Sequence, residues 1–481
     1  MSVLVAGWLK ETNVRSGCLL RWCGALLVLA IGRRRAAGLE SCTFFWPLLR
    51  SGADTVGTAI SVRMVLFFGS RQRRRFGPRA DMPPSFWSSQ TARLAVLPLL
   101  GAATVAAFPP IYALPVLVLG FTGLQLAVRE SRSVLGALSS GWAFGFGYFL
   151  AGLYWIGNDP VGDATRSGWM AVLSVIGPSA LLAVFPAIAA LAARLLARFG
   201  IGELASLAIA WTAAEWLRGS VPIGLPWNLL GYVWTVSDQT VQGAAFVGIY
   251  GLSLVTVLAA AAPAEVWRAG TVPCGFRRWL PISLTVLLPA ALWLAGEIRL
   301  QVVPTPGDEA PDLRLVQGNM PQALRWQPAE ADRAVQRYLS LSAPERPSGL
   351  KVQIWPGAAP TIALTNDPDR RTAVVATIPK GGVLLAGSMH LPDETGADRL
   401  ARGSLLGISD AGEVLAAYDG KCPAPFGQYE QLRSLLSFRG LAEGRRGLVP
   451  GLATVSVPGV PPFRPLICPE AIVPGLTAPA N

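Results

Sequence analysis

Seven apolar segments follow one another between residues 93 and 297, and they constrain the fold more than any other feature. They cover residues 93–108, 111–127, 135–157, 168–193, 201–217, 240–263 and 280–297. Several are longer than a buried helix of a soluble protein, and they contain glycine and proline, which bilayer helices tolerate. Only 15% of the residues are charged, against about 25% in soluble domains. The pattern predicts a membrane domain with seven spans in residues 91–299.

The loops between these segments alternate in arginine content. Arginines follow the second, fourth and sixth segments, at Arg129, Arg132, Arg194, Arg198, Arg268, Arg277 and Arg278, although Arg166 and Arg218 lie on the other side. Because basic loops stay on the cytoplasmic side, we predict that everything after residue 298 lies outside the cytoplasm.

Residues 1–90 are a basic extension. Residues 1–92 contain thirteen Lys and Arg against four Asp and Glu. No RNA- or DNA-binding motif accompanies the Arg71–Arg75 cluster, so no nucleic-acid partner is predicted. The stretch Cys18–Ile31 is a short span, a signal-like segment, or upstream sequence before an alternative start at Met82.

A different composition begins after residue 300, where a linker (300–312) precedes a second domain (313–481). The residue patterns predict strands and one helix, at Leu313–Val316, Val352–Ile354, Val383–Ala386, Ser404–Ile408 and Val414–Tyr418, with the helix at Ala329–Leu341 and a hairpin turn at Asp410-Ala411-Gly412. Strands mixed with helices predict a layered α/β domain behind the helical membrane domain.

Cysteine and histidine usage limits the chemistry of this second domain. The six cysteines, at positions 18, 23, 42, 274, 422 and 468, lack zinc-finger spacing, so we predict no metal, no cofactor and no disulfide framework. His390 is the only histidine, so a nucleophile here would use another base. Cys468 is the candidate nucleophile, because it ends an apolar run and Glu470 follows two residues later.

Polar and aromatic residues end the fifth apolar segment and continue beyond it. Glu215 and Arg218 are either an ordinary interfacial pair or a lipid headgroup site, since ionisable groups at membrane depth are often functional. Pro226 and Trp227 belong either to an aromatic belt or to a re-entrant wall of a lipid cavity.

A series of motifs, taken in order and spacing, resembles the bacterial apolipoprotein N-acyltransferases. The match runs from about residue 90 to the C-terminus and consists of Glu215-Trp216-Leu217-Arg218-Gly219, Gly224-Leu225-Pro226-Trp227-Asn228-Leu229-Leu230-Gly231-Tyr232, Gly248-Ile249-Tyr250-Gly251-Leu252-Ser253, Val316-Gln317-Gly318-Asn319-Met320-Pro321-Gln322 with Trp326, Tyr418-Asp419, Pro425-Phe426-Gly427-Gln428-Tyr429, Leu432-Arg433-Ser434-Leu435 and Pro465-Leu466-Ile467-Cys468 with Glu470.

The resemblance implies a multi-pass protein of the bacterial inner membrane with a periplasmic nitrilase-like (αββα) domain, followed by an eighth span. It implies that Cys468 takes an acyl chain from a phospholipid as a thioester and passes it to the N-terminal amine of an S-diacylglyceryl-cysteine lipoprotein. The family uses a Glu-Lys-Cys triad, in which the lysine stabilises the oxyanion. Glu470, Gln428 and Tyr418 would support the site, and the protein is expected to be a monomer.

The triad is degenerate in this sequence. Gly357 stands where the family has its general-base glutamate, and Asp367 is the nearest carboxylate. Gly420 occupies the lysine position, with Lys421 displaced by one residue, which on a strand would reverse the side chain's face. Gln428 stands where the family has an acidic residue after Pro-Phe-Gly, and Pro469 stands where it has an aromatic residue. The domain also ends earlier than the resemblance implies. These departures predict an inactive or very slow enzyme.

Three alternatives remain open at this point. A pseudoenzyme that binds lipid or lipoprotein would agree with Gly357 and Gly420. A membrane-tethered nitrilase-type amidase would act on small amides and would not need the Pro226-Trp227 loop. A transporter is less consistent with the sequence, because the sequence shows no internal repeat.

Overall fold

The computed structural model describes residues 87, 89–158, 168–220, 226–268, 280–303, 312–320, 328–342, 350–356, 368–390, 402–419, 454–467 and 470. The predictions for Cys18–Ile31, for Met82 and for the rest of the basic extension lie outside these residues.

Every predicted apolar segment contains helix. The helices are α1 (Gln90–Thr104), α2 (Pro115–Glu130), α3 (Val134–Gly152), α4 (Gly168–Leu182), α5 (Val184–Arg198), α6 (Glu203–Ser220), α7 (Asp238–Val241), α8 (Ala244–Ala261), α9 (Ala264–Arg268) and α10 (Leu280–Val302). Short 3₁₀ helices occur at Val105–Ala107, Tyr154–Asn158 and Leu230–Val236. The predicted segment 168–193 is therefore two successive helices, α4 and α5.

Local sequence explains where several of these helices begin. The Ser89 side chain accepts a hydrogen bond from the Ala92 amide at 3.3 Å, and Ser133 accepts one from the Gly136 amide at 2.9 Å. Both are N-caps, which satisfy amides that have no partner within the helix. Pro115 occupies the first turn of α2, where a missing N–H does no harm.

Five helical stretches of the described residues are long and apolar enough to cross a membrane. They are Gln90–Ala107, Val134–Gly152, Val172–Arg198, Ala244–Ala261 and Pro281–Val302. The shorter α2 and the more polar α6 coincide with the predicted second and fifth spans, and their status as spans stays a prediction.

An aromatic cluster lies at the centre of the helical part. The Trp211 ring of α6 makes edge contacts with Phe121, Phe144 and Tyr148, with ring centroids 4.9, 5.9 and 6.2 Å away. Edge-to-face pairs of this kind add to the free energy of simple burial. They tie α2, α3 and α6 together around Trp211.

The second domain is built on a mixed five-stranded sheet. Its elements are β1 (Asp312–Leu315), α11 (Pro328–Ser342), β2 (Leu350–Trp355), α12 (Pro368–Val375), β3 (Val383–His390), β4 (Arg402–Ser409) and β5 (Val414–Asp419), with a separate hairpin of β6 (Val455–Val457) and β7 (Val460–Phe463). The strand order is β1-β2-β3-β4-β5. Strands β1 to β3 are parallel, and β4 pairs antiparallel with both β3 and β5.

The two faces of the sheet bury two separate apolar clusters. Leu384 and Ala386 face one side and pack with residues of α11 and α12, whereas Val383 and Leu385 face the other and pack with the β6–β7 hairpin. This alternation is the two-residue period of a strand buried on both faces. The buried Trp355 at the end of β2 also donates from Nε1 to the Ser342 hydroxyl at 3.1 Å.

The predicted strands, the predicted helix and the hairpin turn of this domain are all confirmed in position. In the turn, the Gly412 amide donates to the Ser409 carbonyl at 3.0 Å. Gly412 has a φ of 84°, a left-handed conformation that favours glycine.

Candidate functional site

Glu470 is fully buried and accepts hydrogen bonds at both carboxylate oxygens. The Tyr418 hydroxyl lies 3.3 Å from each oxygen, and the Ile467 amide donates to Oε2 at 2.9 Å. The Glu470 amide in turn donates to the Ile467 carbonyl at 3.2 Å. The backbone and the side chain of Glu470 thus both bind Ile467, and Tyr418 joins Glu470 to the end of β5.

Cys468 itself lies outside the described residues, as do Gly357, Gly420, Lys421 and Gln428. The strands that precede two of these positions are described. Strand β2 ends at Trp355, two residues before Gly357, and β5 ends at Asp419, directly before Gly420. Pairing through β3 and β4 makes β2 and β5 run in the same direction, so their carboxyl ends lie at the same edge of the sheet.

Glu215 and Arg218 form a second polar centre, in the helical part. They lie one turn apart on α6 and are only 4% and 2% exposed. Glu215 Oε1 accepts from Trp211 Nε1 at 3.1 Å and from the Leu230 amide at 3.0 Å. Arg218 Nη1 donates to the Trp227 carbonyl at 2.6 Å. The two side chains thus bind backbone groups of the segment after α6 from inside the protein.

Two residues that the sequence did not single out as site residues bind the same segment. The Tyr148 hydroxyl of α3 donates to the Asn228 carbonyl at 2.5 Å, and the Gly231 amide donates to the Ser253 hydroxyl of α8 at 2.9 Å. Ser253 ends the Gly248–Ser253 motif, whereas Tyr148 belongs to none of the quoted motifs and lies 80 residues from its partner.

An open groove of about 340 Å³ lies beside this segment and is lined by Trp155, Pro226, Trp227, Asn228 and Tyr232. Trp155 and Trp227 form one wall, with ring centroids 5.2 Å apart and a tilt of 56°. Pro226 and Trp227, both predicted as cavity residues, lie in this groove.

The apolar helix bundle, followed by an α/β domain with a buried glutamate beside a cysteine position, defines a membrane-bound protein of the nitrilase type. Residues 100–262 match the apolipoprotein N-acyltransferase N-terminal domain. Apolipoprotein N-acyltransferases of Rhodopseudomonas palustris and Bradyrhizobium diazoefficiens are 35% and 34% identical to this chain, each over 82% of the chain and 76% of the relative. That of Rhizobium rhizogenes is 31% identical, with the same coverage of both chains. The chain belongs to the apolipoprotein N-acyltransferase family.

Family membership confirms the predicted family and the predicted fold class, a helical membrane domain followed by a nitrilase-like α/β domain. With its five apolar helices, the chain is a membrane protein. The roles of individual site residues and the predicted domain boundaries stay predictions.

Proposed function

We propose that this chain is an N-acyltransferase that moves a fatty acyl chain from a membrane phospholipid, through a thioester on Cys468, to the N-terminal amine of S-diacylglyceryl-cysteine in apolipoproteins. The supporting observation is the buried Glu470 carboxylate, which accepts hydrogen bonds from Tyr418 of β5 and from Ile467, the residue directly before the nucleophile position. These hydrogen bonds satisfy the buried carboxylate and hold Ile467 and Glu470, which flank Cys468 in the sequence, against β5.

The chemistry proceeds in two acyl transfers. The Cys468 thiolate attacks the ester carbonyl of the phospholipid, a C–S bond forms, and the lysophospholipid alcohol leaves with a proton. The α-amine of the lipoprotein then attacks the thioester, an amide forms, and the thiol is regenerated. Lys421 would stabilise the oxyanion in both steps, with Glu470, Tyr418 and Gln428 supporting the site.

The missing base limits the rate of the first transfer. A free thiol with a pKa of about 8.5 is only slightly ionised at neutral pH. Gly357 cannot accept its proton, and loss of a general base slows a reaction by about 10²–10⁴-fold. Turnover by this chain is therefore slow.

The proposal extends to partners and location. The phospholipid donor and the lipoprotein acceptor both reside in the bilayer, and the α/β domain faces the periplasm of a bacterial inner membrane. The arginine-bearing loops support this orientation. The protein acts as a monomer and has no nucleic-acid partner.

Acyl transfer to a defined acceptor tests the proposal. Purified protein in nanodiscs is given phosphatidylethanolamine with an alkyne-tagged acyl chain and a diacylglyceryl-cysteine peptide, and tagged peptide is measured by mass spectrometry. We expect slow product formation that disappears in Cys468→Ala and with an N-acetylated peptide. Product formation that persists in Cys468→Ala would contradict the proposal.

A second candidate function is favoured by Gly357 itself. Without the base, the protein would act as a pseudoenzyme that binds lipid or lipoprotein. Peptide binding that survives Cys468→Ala, with no tagged product after prolonged incubation, would support this alternative. Hydrolysis of a small amide in detergent without lipid would instead indicate the amidase.

A further inference from the structure

We propose that Glu215, Arg218, Tyr148 and Ser253 are positioning residues that fix the backbone of residues 227–231, so that the adjoining groove is formed before an acyl chain of a phospholipid enters it. This inference rests on the proposed function, in which a membrane phospholipid donates the acyl chain.

The four side chains all bind the backbone of residues 227–231. Each binds a different main-chain group of one five-residue stretch, namely the carbonyls of Trp227 and Asn228 and the amides of Leu230 and Gly231. The four side chains come from three helices, α3, α6 and α8. Buried backbone groups need such partners, because water does not reach them. The segment, of which only Leu230 and Gly231 belong to the 3₁₀ helix Leu230–Val236, is therefore held mainly by tertiary contacts.

Glu215 and Arg218 are both buried. With 4% and 2% of their surfaces exposed, Glu215 and Arg218 cannot present their charges to a lipid headgroup from outside. Each lies within electrostatic range of the other, and a mutually compensated pair is the form in which charges persist inside a protein. Glu215 also binds the Leu230 amide and Arg218 binds the Trp227 carbonyl, so each side chain holds one backbone group of the loop.

The loop has a left-handed backbone conformation at Asn228. Asn228 has a φ of 51°, which is uncommon for a residue other than glycine. Such a conformation persists where surrounding contacts determine it. Tyr148 and Arg218 supply those contacts, on the carbonyls of Asn228 itself and of Trp227 next to it.

The groove suits an acyl chain because of its lining and its place in the fold. Two tryptophans, a proline and a tyrosine supply most of the wall. Trp155 follows the membrane-spanning α3 and is 48% exposed, beside the 66% exposed Tyr154. Trp155 thus belongs both to the residues that follow α3 and to the wall of the groove. A wall fixed in advance avoids the entropy of ordering a loop on binding.

Photo-crosslinking tests the inference without relying on turnover. Protein in nanodiscs is titrated with phosphatidylethanolamine that carries a diazirine in its acyl chain, and the crosslinked peptides are mapped. The wild-type protein should label at residues 154–155 and 226–232. Glu215→Ala and Arg218→Ala should raise the half-saturating lipid concentration about tenfold, as expected for the loss of a buried hydrogen bond.

Two control variants separate positioning from general destabilisation. Glu215→Gln keeps an oxygen for Trp211 and Leu230 but leaves the buried Arg218 charge uncompensated, so its half-saturation should lie between those of the wild type and Glu215→Ala. Gln125→Ala removes a different buried polar side chain, which bonds Glu265, and it should leave labelling unchanged.

Equal shifts in Gln125→Ala and Glu215→Ala would overturn the inference while leaving the groove as a lipid site. Absence of label at 154–155 and 226–232 in the wild type would overturn both the inference and the groove. Neither result would affect acylation of Cys468, which is measured separately.

Discussion

Glu470 and Tyr418 are 52 residues apart in the chain and meet through a 3.3 Å hydrogen bond inside the α/β domain. Tyr418 is the penultimate residue of β5 and is itself buried. The bond therefore joins β5, the strand that precedes Lys421 in the sequence, to a residue two positions after Cys468. Lys421 and Cys468 are thus each within three residues of one member of this buried pair.

The first prediction concerns this buried pair. Glu470→Ala leaves the Tyr418 hydroxyl and the Ile467 amide without their shared acceptor, and each buried unsatisfied group lowers the free energy of unfolding by about 1–3 kcal/mol. Tyr418→Phe removes only one donor, and its effect should be about 1 kcal/mol. Thermal unfolding in detergent gives the ranking. If Tyr418→Phe destabilises the protein more than Glu470→Ala, the hydrogen bonds to the Glu470 carboxylate are not what stabilises this part of the α/β domain.

A second prediction restores the base. Gly357→Glu should accelerate acylation of Cys468 by about 10²–10⁴-fold, because a general base would then be available to the thiol. Gly357→Gln is the matched control, with the same size and no basic carboxylate, and it should stay slow. Pre-steady-state mass spectrometry measures both rates. Equal rates for the glutamate and glutamine variants would show that a base at position 357 is irrelevant.

The third prediction concerns helix packing. A Cβ at Gly147 of α3 would collide with the Pro98 carbonyl of α1, whereas a Cβ at Gly177 of α4 would meet nothing within 4 Å. Gly147→Ala should therefore lower the free energy of unfolding by about 1–3 kcal/mol. Gly177→Ala should be neutral or slightly stabilising, because alanine is the better helix former. Similar melting temperatures for the two variants would contradict the close approach of α1 and α3.

The fourth prediction addresses orientation. An alkaline phosphatase reporter, active only outside the cytoplasm, should be active when fused after Val303 and inactive when fused after Arg132. The expected difference follows from the arginine content of the loops. The reverse pattern would overturn the proposed periplasmic position of the α/β domain.

The α/β domain was largely predictable, because each strand of the sheet has a continuous apolar or alternating pattern. The β6–β7 hairpin was not predicted, since Val460–Phe463 contains two consecutive prolines, which normally argue against a strand. Helix α12 is only eight residues long and mostly polar, too short for a clear period.

The buried environment of Glu215 and Arg218 could not be deduced from the sequence. Both hypotheses, an interfacial pair or a headgroup site, assumed that the charges face the membrane surface. Their partners, Leu230 and Trp227, come from a segment whose path depends on the tertiary packing of α3, α6 and α8. The periodicity of apolar residues predicts where helices lie in the sequence. It does not predict which loop packs against a given helix in the folded protein.

The most direct measurement for the proposed activity is the mass of intact protein after incubation in phosphatidylethanolamine nanodiscs. A fatty acyl adduct is expected on Cys468 that forms slowly in the wild type and rapidly in Gly357→Glu. Hydroxylamine should remove it, since thioesters are labile to this nucleophile, and Cys468→Ser should never form a hydroxylamine-labile thioester. If no adduct appears on Cys468 even in Gly357→Glu, the acyltransferase mechanism proposed for this chain is contradicted.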